Sequence, residues 1–162
     1  MMGVMKDLLA KIYLPLQYLL LLALIANSSF LSYKYMHFYY WGGMFKMLGC
    51  KDDCDAVMMS KYAMFWKIPV PVWGLTAFVF VALAFVLVHN QKLLKGSALL
   101  TRLAEIAEHL LPWVLIIGCV LASLFISLLY FKLHMMCKFC MFSHICLFLF
   151  TLLYFMGYKT QR

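Results

Sequence analysis

Four of the six cysteines form two closely spaced pairs, and each pair lies beside a long hydrophobic stretch. Three residues separate Cys50 from Cys54 in a polar segment, and Cys137 and Cys140 form a C-x-x-C motif where the last hydrophobic stretch begins. Thiols and disulfides at such spacings exchange, because a thiolate attacks a disulfide sulfur that it can approach in line. Two dithiol pairs at a membrane edge therefore predict electron transfer between protein thiols and an acceptor dissolved in lipid.

The C-x-x-C pair is predicted to lie in the first turn of a helix, where Cys137 and Cys140 share one face. Unpaired N–H groups and the positive end of the helix dipole favour a thiolate there. Lys138 and His134 add positive potential. These features predict that the pKa of a thiol in this motif lies below the ordinary value of ~8.5. Cys140 is expected to lie deeper in the lipid than Cys137.

The remaining two cysteines, Cys119 and Cys146, fall inside hydrophobic stretches and are expected to be buried and inert. The paired cysteines also admit two less reactive interpretations. Both spacings suit a zinc site with four thiolate ligands, and both suit structural disulfides in a membrane scaffold. Metal analysis of the purified protein separates a zinc site from redox chemistry.

The composition predicts an all-α membrane protein with a single domain covering residues 1–162. Hydrophobic residues make up 67% of the chain and charged residues only 12%. An apolar bilayer core of ~30 Å takes about 20 helical residues, and four stretches reach that length. The first is too long for the apolar region of a signal peptide. The four predicted spans run from about Ile12 to Tyr33, near Val70 to His89, about Leu110 to Leu133, and near Met136 to Gly157.

The net charge is +8, and its basic residues lie in loops and at span ends. Contact with lipid headgroups accounts for this placement better than nucleic acid does. Four spans put both termini on one side, and each side carries seven of the 14 basic residues, so charge alone does not predict the orientation. Both cysteine pairs fall on the same side, which is predicted to face an oxidising compartment such as the periplasm, the cell exterior or the ER lumen.

Polar residues interrupt the first span near its outer end. Asn27, Ser28 and Ser29 form a polar notch there. Such a notch bonds backbone carbonyls, packs against another helix, or lines a pocket for a ligand with a polar head. Nearer the start of the same span, Pro15 is expected in the first helical turn, where a missing N–H costs little.

Two connecting segments carry helical patterns. From Asp55 onward, the apolar residues Val57, Met58, Phe65 and Trp66 predict a short helix lying on the membrane surface, although an ordinary amphipathic connector fits equally well. Pro69 is expected to end this helix and Pro71 to lie in the first turn of the second span. In segment 90–109, apolar residues at helical spacing predict an extension of the third helix; these are Leu99, Leu103, Ile106 and Leu110.

The order of these motifs resembles the bacterial branch of the vitamin K epoxide reductase family. A loop cysteine pair is followed by D-x-V-x-x-S-K-Y-A, then by I-P-V-x-V-W-G at the start of a helix, and finally by C-x-x-C. The matching residues are Cys50, Cys54, Asp55, Val57, Ser60, Lys61, Tyr62, Ala63, Ile68, Pro69, Val70, Val72, Trp73, Gly74, Cys137 and Cys140. The resemblance implies a bundle of four transmembrane helices around a quinone, capped by a short horizontal helix in the first outer loop.

The resemblance also implies a role for each matching cysteine. Cys50 would face a soluble partner, Cys54 would relay electrons to Cys137, and Cys140 would reduce the quinone. Ser60 would lie beside the quinone and the loop cysteines.

Two further residues are candidate quinone contacts, although neither matches the family pattern. His144 stands where animal members carry a tyrosine that contacts the quinone, and it lies four residues after Cys140. It is expected either to bond or protonate a quinone or to be satisfied by a neighbouring helix. Asn27, in the polar notch, is the third candidate quinone contact. The loop pair is more closely spaced than is usual in the family.

The function implied is oxidation of protein thiols with ubiquinone or menaquinone as the acceptor. A DsbA-type thioredoxin-fold protein of the periplasm would be the electron donor, in a bacterial inner membrane. No thioredoxin-like domain follows the fourth span, so the partner is expected to be a separate protein. Reduction of vitamin K epoxide or a quinone by the same cysteines is the alternative within the enzyme class.

Overall fold

Four long helices make up most of the chain. The computed structural model describes residues 2–41, 57, 60–90, 98–134 and 137–161. The helices are α1 (Met2–Trp41), α2 (Val70–His89), α3 (Ala98–Leu128) and α4 (Lys138–Gln161). A π-helical segment, Leu129–Leu133, continues α3, and a 3-10 helix (Lys61–Ala63) precedes two short strands, β1 (Met64–Phe65) and β2 (Ile68–Pro69).

All four predicted spans are confirmed as helices long and apolar enough to cross a membrane. The candidate spans are Ile12–His37, Val70–His89, Ala98–Lys132 and Lys138–Gly157. A continuous helix suits a bilayer because it satisfies its own backbone groups where no water can. The predicted extension of the third helix is also confirmed, since α3 begins at Ala98. The chain is therefore a multi-pass membrane protein.

The first helix is longer than its predicted span. At 1.5 Å per residue, its 40 residues measure roughly 60 Å, about twice the apolar thickness of a bilayer. The prediction for Pro15 is wrong, because α1 begins at Met2 and the proline lies in the helix interior, where it removes one backbone hydrogen bond. Pro71 does occupy the first turn of α2, as predicted.

The helices pack as a ring in which α1 lies against α2 and α4, and α3 closes the bundle against the same two helices. Three apolar clusters follow one another from the side of the termini towards the cysteine motif. The inner cluster centres on Phe85 and Phe150, both fully buried. The middle cluster contains Leu24, Cys146 and Leu147. The outer cluster contains Cys137 and forms one wall of the candidate site.

Large apolar side chains cover the outside of the bundle. Phe80, Leu83, Trp113, Leu121 and Leu152 are each more than half exposed. A water-soluble protein of this size would bury such side chains, whereas a lipid-facing surface is as apolar as the acyl chains around it. The exposed faces of α2, α3 and α4 are thus lipid contacts.

A hairpin stands where the predicted surface helix would end. Val57 is helical and the residues on either side of it lie outside the described part of the chain. Further on, β1 and β2 pair antiparallel, with Phe65 opposite Ile68, and Trp66 and Lys67 form the turn. Both turn residues have positive φ, 52° and 63°, as a type I′ turn requires. Phe65 and Trp66 are therefore in a hairpin, and the prediction that they lie on a helix is wrong.

The hairpin is fastened to the start of α2. The indole N–H of Trp73 donates a hydrogen bond to the carbonyl of Phe65 at 3.2 Å. The rings of Phe65 and Trp73 also meet edge to face, with centroids 6.3 Å apart. Pro69 ends β2 without needing to donate a ladder hydrogen bond. These contacts fix the hairpin, which is the last part of the connection between α1 and α2, against the bundle.

Candidate functional site: the start of the fourth helix

Cys137 caps the N-terminus of α4. Its carbonyl accepts a hydrogen bond from the Met141 N–H at 3.0 Å, which is the first bond of the helix. Cys140 follows in the first turn, as the C-x-x-C spacing predicts. Cys137 is buried, with 3% of its surface exposed, and Cys140 is half-buried. Both sulfurs therefore lie at the helix end where unpaired N–H groups stabilise a thiolate.

The backbone leaves its helical path at His134, three residues before Cys137. The π-helical segment ends at Leu133, and His134 follows in the left-handed region, with φ of 51° and ψ of 26°. A residue other than glycine pays roughly 1–2 kcal/mol for this conformation. Leu129 and Phe125, near this end of α3, pack in one cluster with Cys137 and Cys140.

Cys137 is disulfide-bonded. Its partner is none of Cys119, Cys140 and Cys146. A sulfur in a disulfide is not a thiolate ligand, so the alternative zinc site does not describe this state of Cys137. Among the described residues, no group of three or more His, Cys, Asp or Glu side chains could hold a metal ion.

The two sulfurs border an apolar pocket between α3 and α4. Of the residues beside it, Leu129 and Cys137 form a buried cluster with Val57, and Phe125, Phe139 and Cys140 pack against this cluster. The pocket is a small, open recess lined by Ile126, Leu129, Cys137, Cys140 and Met141. Its lining consists of carbon and sulfur atoms, which form an apolar surface beside the Cys140 sulfur.

His144 lies one turn after Cys140 on the same helix. Its Nδ1 bonds the backbone carbonyl of Cys140, and its ring lies parallel to that of Phe125, with centroids 6.4 Å apart and planes at 4°. A carbonyl only accepts, so Nδ1 carries the proton and Nε2 of the neutral ring is an acceptor. His144 thus bonds the backbone of Cys140, and its predicted contact with a quinone stays a prediction.

Ser60 orders the end of the first outer segment. Its hydroxyl donates to the Val57 carbonyl at 2.7 Å, and its own N–H donates to the same carbonyl at 3.2 Å. The Ser60 carbonyl accepts from the Ala63 N–H at 3.0 Å, which opens the 3-10 helix. Since Val57 packs beside Cys137, Ser60 is linked to the site through Val57. Its predicted contact with a quinone stays a prediction.

Asn27 reaches from α1 to the first turn of α4. Its Nδ2 donates to the Phe139 carbonyl at 2.9 Å and to the Ser143 hydroxyl oxygen at 2.6 Å. The polar notch therefore makes an interhelical contact, which was one of its predicted roles. Ser143 and Phe125 are site residues that the sequence analysis missed. Only the position of Ser143, three residues after Cys140, could have pointed to it.

The other two cysteines lie away from the pocket. Cys119 is half-buried, and its sulfur lies 3.4 Å from the Thr151 hydroxyl. Cys146 is buried beside Leu24 and Leu147, which confirms its predicted burial. The predicted loop pair, Cys50 and Cys54, lies outside the described residues.

The fold and the site define a multi-pass membrane protein with a cysteine-lined pocket at one end of its helix bundle. Its residues 11–155 match the model of the Vitamin K epoxide reductase family, and the chain belongs to that family. The family comprises oxidoreductases that act on vitamin K or other quinones, so the chain is an oxidoreductase with a quinone-related redox function. No curated protein and no solved structure matches it.

Proposed function

We propose that the protein is a quinone-dependent oxidase of protein thiols that supports disulfide bond formation. A separate DsbA-type thioredoxin-fold protein supplies two electrons at the periplasmic face of a bacterial inner membrane. The electrons pass through Cys50 and Cys54 to Cys137 and Cys140, and then to ubiquinone or menaquinone. A single domain, residues 1–162, carries both cysteine pairs.

The disulfide at Cys137 is the observation that carries this proposal. In the first step the two partner thiols become a disulfide as the Cys50–Cys54 disulfide is reduced to two thiols. The Cys54 thiolate then attacks Cys137 in a Cys137–Cys140 disulfide. A Cys54–Cys137 bond forms, the Cys137–Cys140 bond breaks, and Cys140 leaves as a thiolate. A disulfide from Cys137 to a residue other than Cys140 is what this attack would produce.

A second exchange completes the transfer. The Cys50 thiolate attacks Cys54, so the Cys50–Cys54 disulfide re-forms and Cys137 leaves as a thiolate. One disulfide has been exchanged for another, and two electrons now reside on Cys137 and Cys140 as a pair of thiols. Their place at the start of α4 stabilises the thiolate form of each leaving sulfur.

The lining of the pocket is apolar, as contact with a quinone ring requires, although the recess must widen to admit one. Ile126, Leu129 and Met141 offer apolar surface, and Cys140 brings its sulfur to the same space. A quinone bound there supplies an acceptor for two electrons and two protons as Cys137 and Cys140 return to a disulfide. His144 is proposed to face the bound quinone with its Nε2, because its Nδ1 already bonds the Cys140 carbonyl. Ser60 keeps Val57 against Cys137.

Reduction of vitamin K epoxide by the same cysteines is the second candidate, favoured by the family match. Both reactions use the thiols of Cys137 and Cys140, but they differ in the acceptor. An assay with vitamin K epoxide and a small dithiol measures the second reaction directly. Turnover of the epoxide at a rate comparable with quinone reduction would favour it over the oxidase.

The test is quinone reduction by the purified protein with a reduced DsbA-type partner. Wild type is expected to turn over, and single alanine variants of Cys50, Cys54, Cys137 and Cys140 are expected to fail. With a small dithiol in place of the partner, the Cys50 and Cys54 variants should regain activity, because the donor then reaches Cys137–Cys140 directly. Turnover by Cys140→Ser, or none by wild type with either quinone, would contradict the proposal.

A further inference from the structure

Helix α1 contacts one of the two residues between the site cysteines, both at its backbone and at its ring. Phe139 lies between Cys137 and Cys140 in the chain. Its backbone carbonyl accepts a hydrogen bond from Asn27 at 2.9 Å. Its ring meets that of Phe30, with centroids 5.4 Å apart and planes at 44°. Asn27 and Phe30 are three residues apart on α1 and so share a face of that helix.

The amide of Asn27 commits its hydrogens to α4. A carbonyl oxygen only accepts, so the bond to Phe139 fixes the amide nitrogen, and not its oxygen, towards α4. The same nitrogen lies 2.6 Å from the Ser143 hydroxyl, which gives its second hydrogen an acceptor. A quinone carbonyl would need a hydrogen-bond donor. The only polar side-chain atom of Asn27 that these two bonds do not use is Oδ1, which is an acceptor. In this arrangement the amide hydrogens of Asn27 bond α4 and are not available to a quinone carbonyl.

We propose that Asn27 is a positioning residue that fixes the first turn of α4 and, through it, the Cys140 sulfur relative to Cys137. Cys140 lies between the two points held by Asn27, the carbonyl of Phe139 and the side chain of Ser143. Exchange between Cys140 and Cys137 needs an in-line approach of sulfur to sulfur. Misplacement of a reacting group by about 1 Å can cost on the order of a hundredfold in rate. The kinetic part of this inference rests on the proposed function.

The experiment replaces Asn27 with leucine, which has a similar volume and no donor. Thr151→Val is the matched control, because Thr151 makes a polar contact between α4 and α3 two turns beyond Ser143. Ser143→Ala removes one of the two acceptors and leaves Asn27 in place, so it covers the case in which Asn27→Leu does not fold.

Two readouts are compared among these variants. In a glutathione redox buffer, thiols are trapped with maleimide, and mass spectrometry gives the ratio of the Cys137–Cys140 disulfide to other Cys137 disulfides. Steady-state kinetics gives kcat and the KM for quinone separately. Asn27→Leu is expected to lower the disulfide ratio and kcat by roughly tenfold each, with KM unchanged. Ser143→Ala should show a smaller change in the same direction, and Thr151→Val none.

Other outcomes overturn the inference. A raised KM with an unchanged kcat and disulfide ratio would show that Asn27 contacts the quinone. If Asn27→Leu had the same disulfide ratio as Thr151→Val, the hydrogen bonds of Asn27 to α4 would only stabilise the bundle. If wild type does not reduce quinone, the proposed function fails, but the disulfide ratio still tests the positioning of Cys140 because it requires no turnover.

Discussion

The two cysteines of the C-x-x-C motif have different surroundings from the two cysteines inside the spans, although all four belong to helices α3 and α4 or to the segment between them. Cys137 and Cys140 lie at the start of α4, where helix N–H groups point towards them and one of them is already in a disulfide. Cys119 and Cys146 lie within the spans, one beside a threonine and the other among leucines. The comparison shows that position on a helix, more than the residue itself, decides which thiols can exchange.

The largest expected effect separates these two pairs directly. Alanine at Cys137 or Cys140 should reduce turnover to background, because each carries a sulfur of the exchange. Alanine at Cys119 or Cys146 should leave turnover within about twofold, since small apolar substitutions at such sites mainly affect packing. The measurement is quinone reduction by each single variant, with folding of the variant checked by its melting temperature.

Loss of turnover in Cys119→Ala or Cys146→Ala, at an unchanged melting temperature, would refute this division. It would mean that electrons also pass through the spans, and the comparison between the two pairs would no longer hold. Turnover by Cys140→Ala at the wild-type rate would also refute the division, because a cysteine of the C-x-x-C motif would then not be needed.

The sequence predicts the bundle well because its signal is length and hydropathy. Four apolar stretches gave four helices, and the apolar spacing from Leu99 to Leu110 correctly extended the third. The first turn of α4 was equally predictable, since the C-x-x-C motif opens an apolar stretch. Such features depend on local periodicity, which the chain carries in its own order of residues.

Other features depend on partners that are remote in sequence. Phe65 and Trp66 have an apolar pattern that suits a surface helix, yet pairing with Ile68 and the bond from Trp73 hold them in a hairpin. A hairpin turn with two positive φ angles usually carries asparagine and glycine. Trp66 and Lys67 occupy it here, so the sequence contained no turn motif that would have predicted the hairpin. Asn27 and Ser143 are 116 residues apart, and their contact follows from how α1 packs against α4.

A second comparison sets the inner cluster of the bundle against the outer site. Phe85 is fully buried, and its ring contacts those of Tyr18 and Phe150, with centroids 5.3 and 5.5 Å away. Phe85→Ala should lower the free energy of unfolding by about 3 kcal/mol through the cavity it leaves. The fraction of Cys137 in a disulfide should not change, because Phe85 belongs to a different cluster from Cys137.

Phe80→Ala provides the matched control on the same helix. Phe80 is 69% exposed on the lipid-facing side, so its removal should alter stability by less than about 0.5 kcal/mol. Denaturant titration in detergent micelles measures both variants. If Phe85→Ala also changed the disulfide state of Cys137 under folding conditions, the inner cluster and the outer site would be coupled and not separate.

The smallest expected effect concerns the bend that leads into the site. His134 adopts a left-handed conformation at φ of 51°, which glycine accepts without steric cost. His134→Gly relieves strain of about 1 kcal/mol, but the unfolded chain gains freedom of similar size, so the net gain should be about 0.5 kcal/mol or less. His134→Val, with a β-branched side chain, should instead destabilise the protein by more than 1 kcal/mol. Unfolding titrations that gave valine and glycine equal stability would show that the bend tolerates any residue, and that the placement of Cys137 depends on the helix contacts alone.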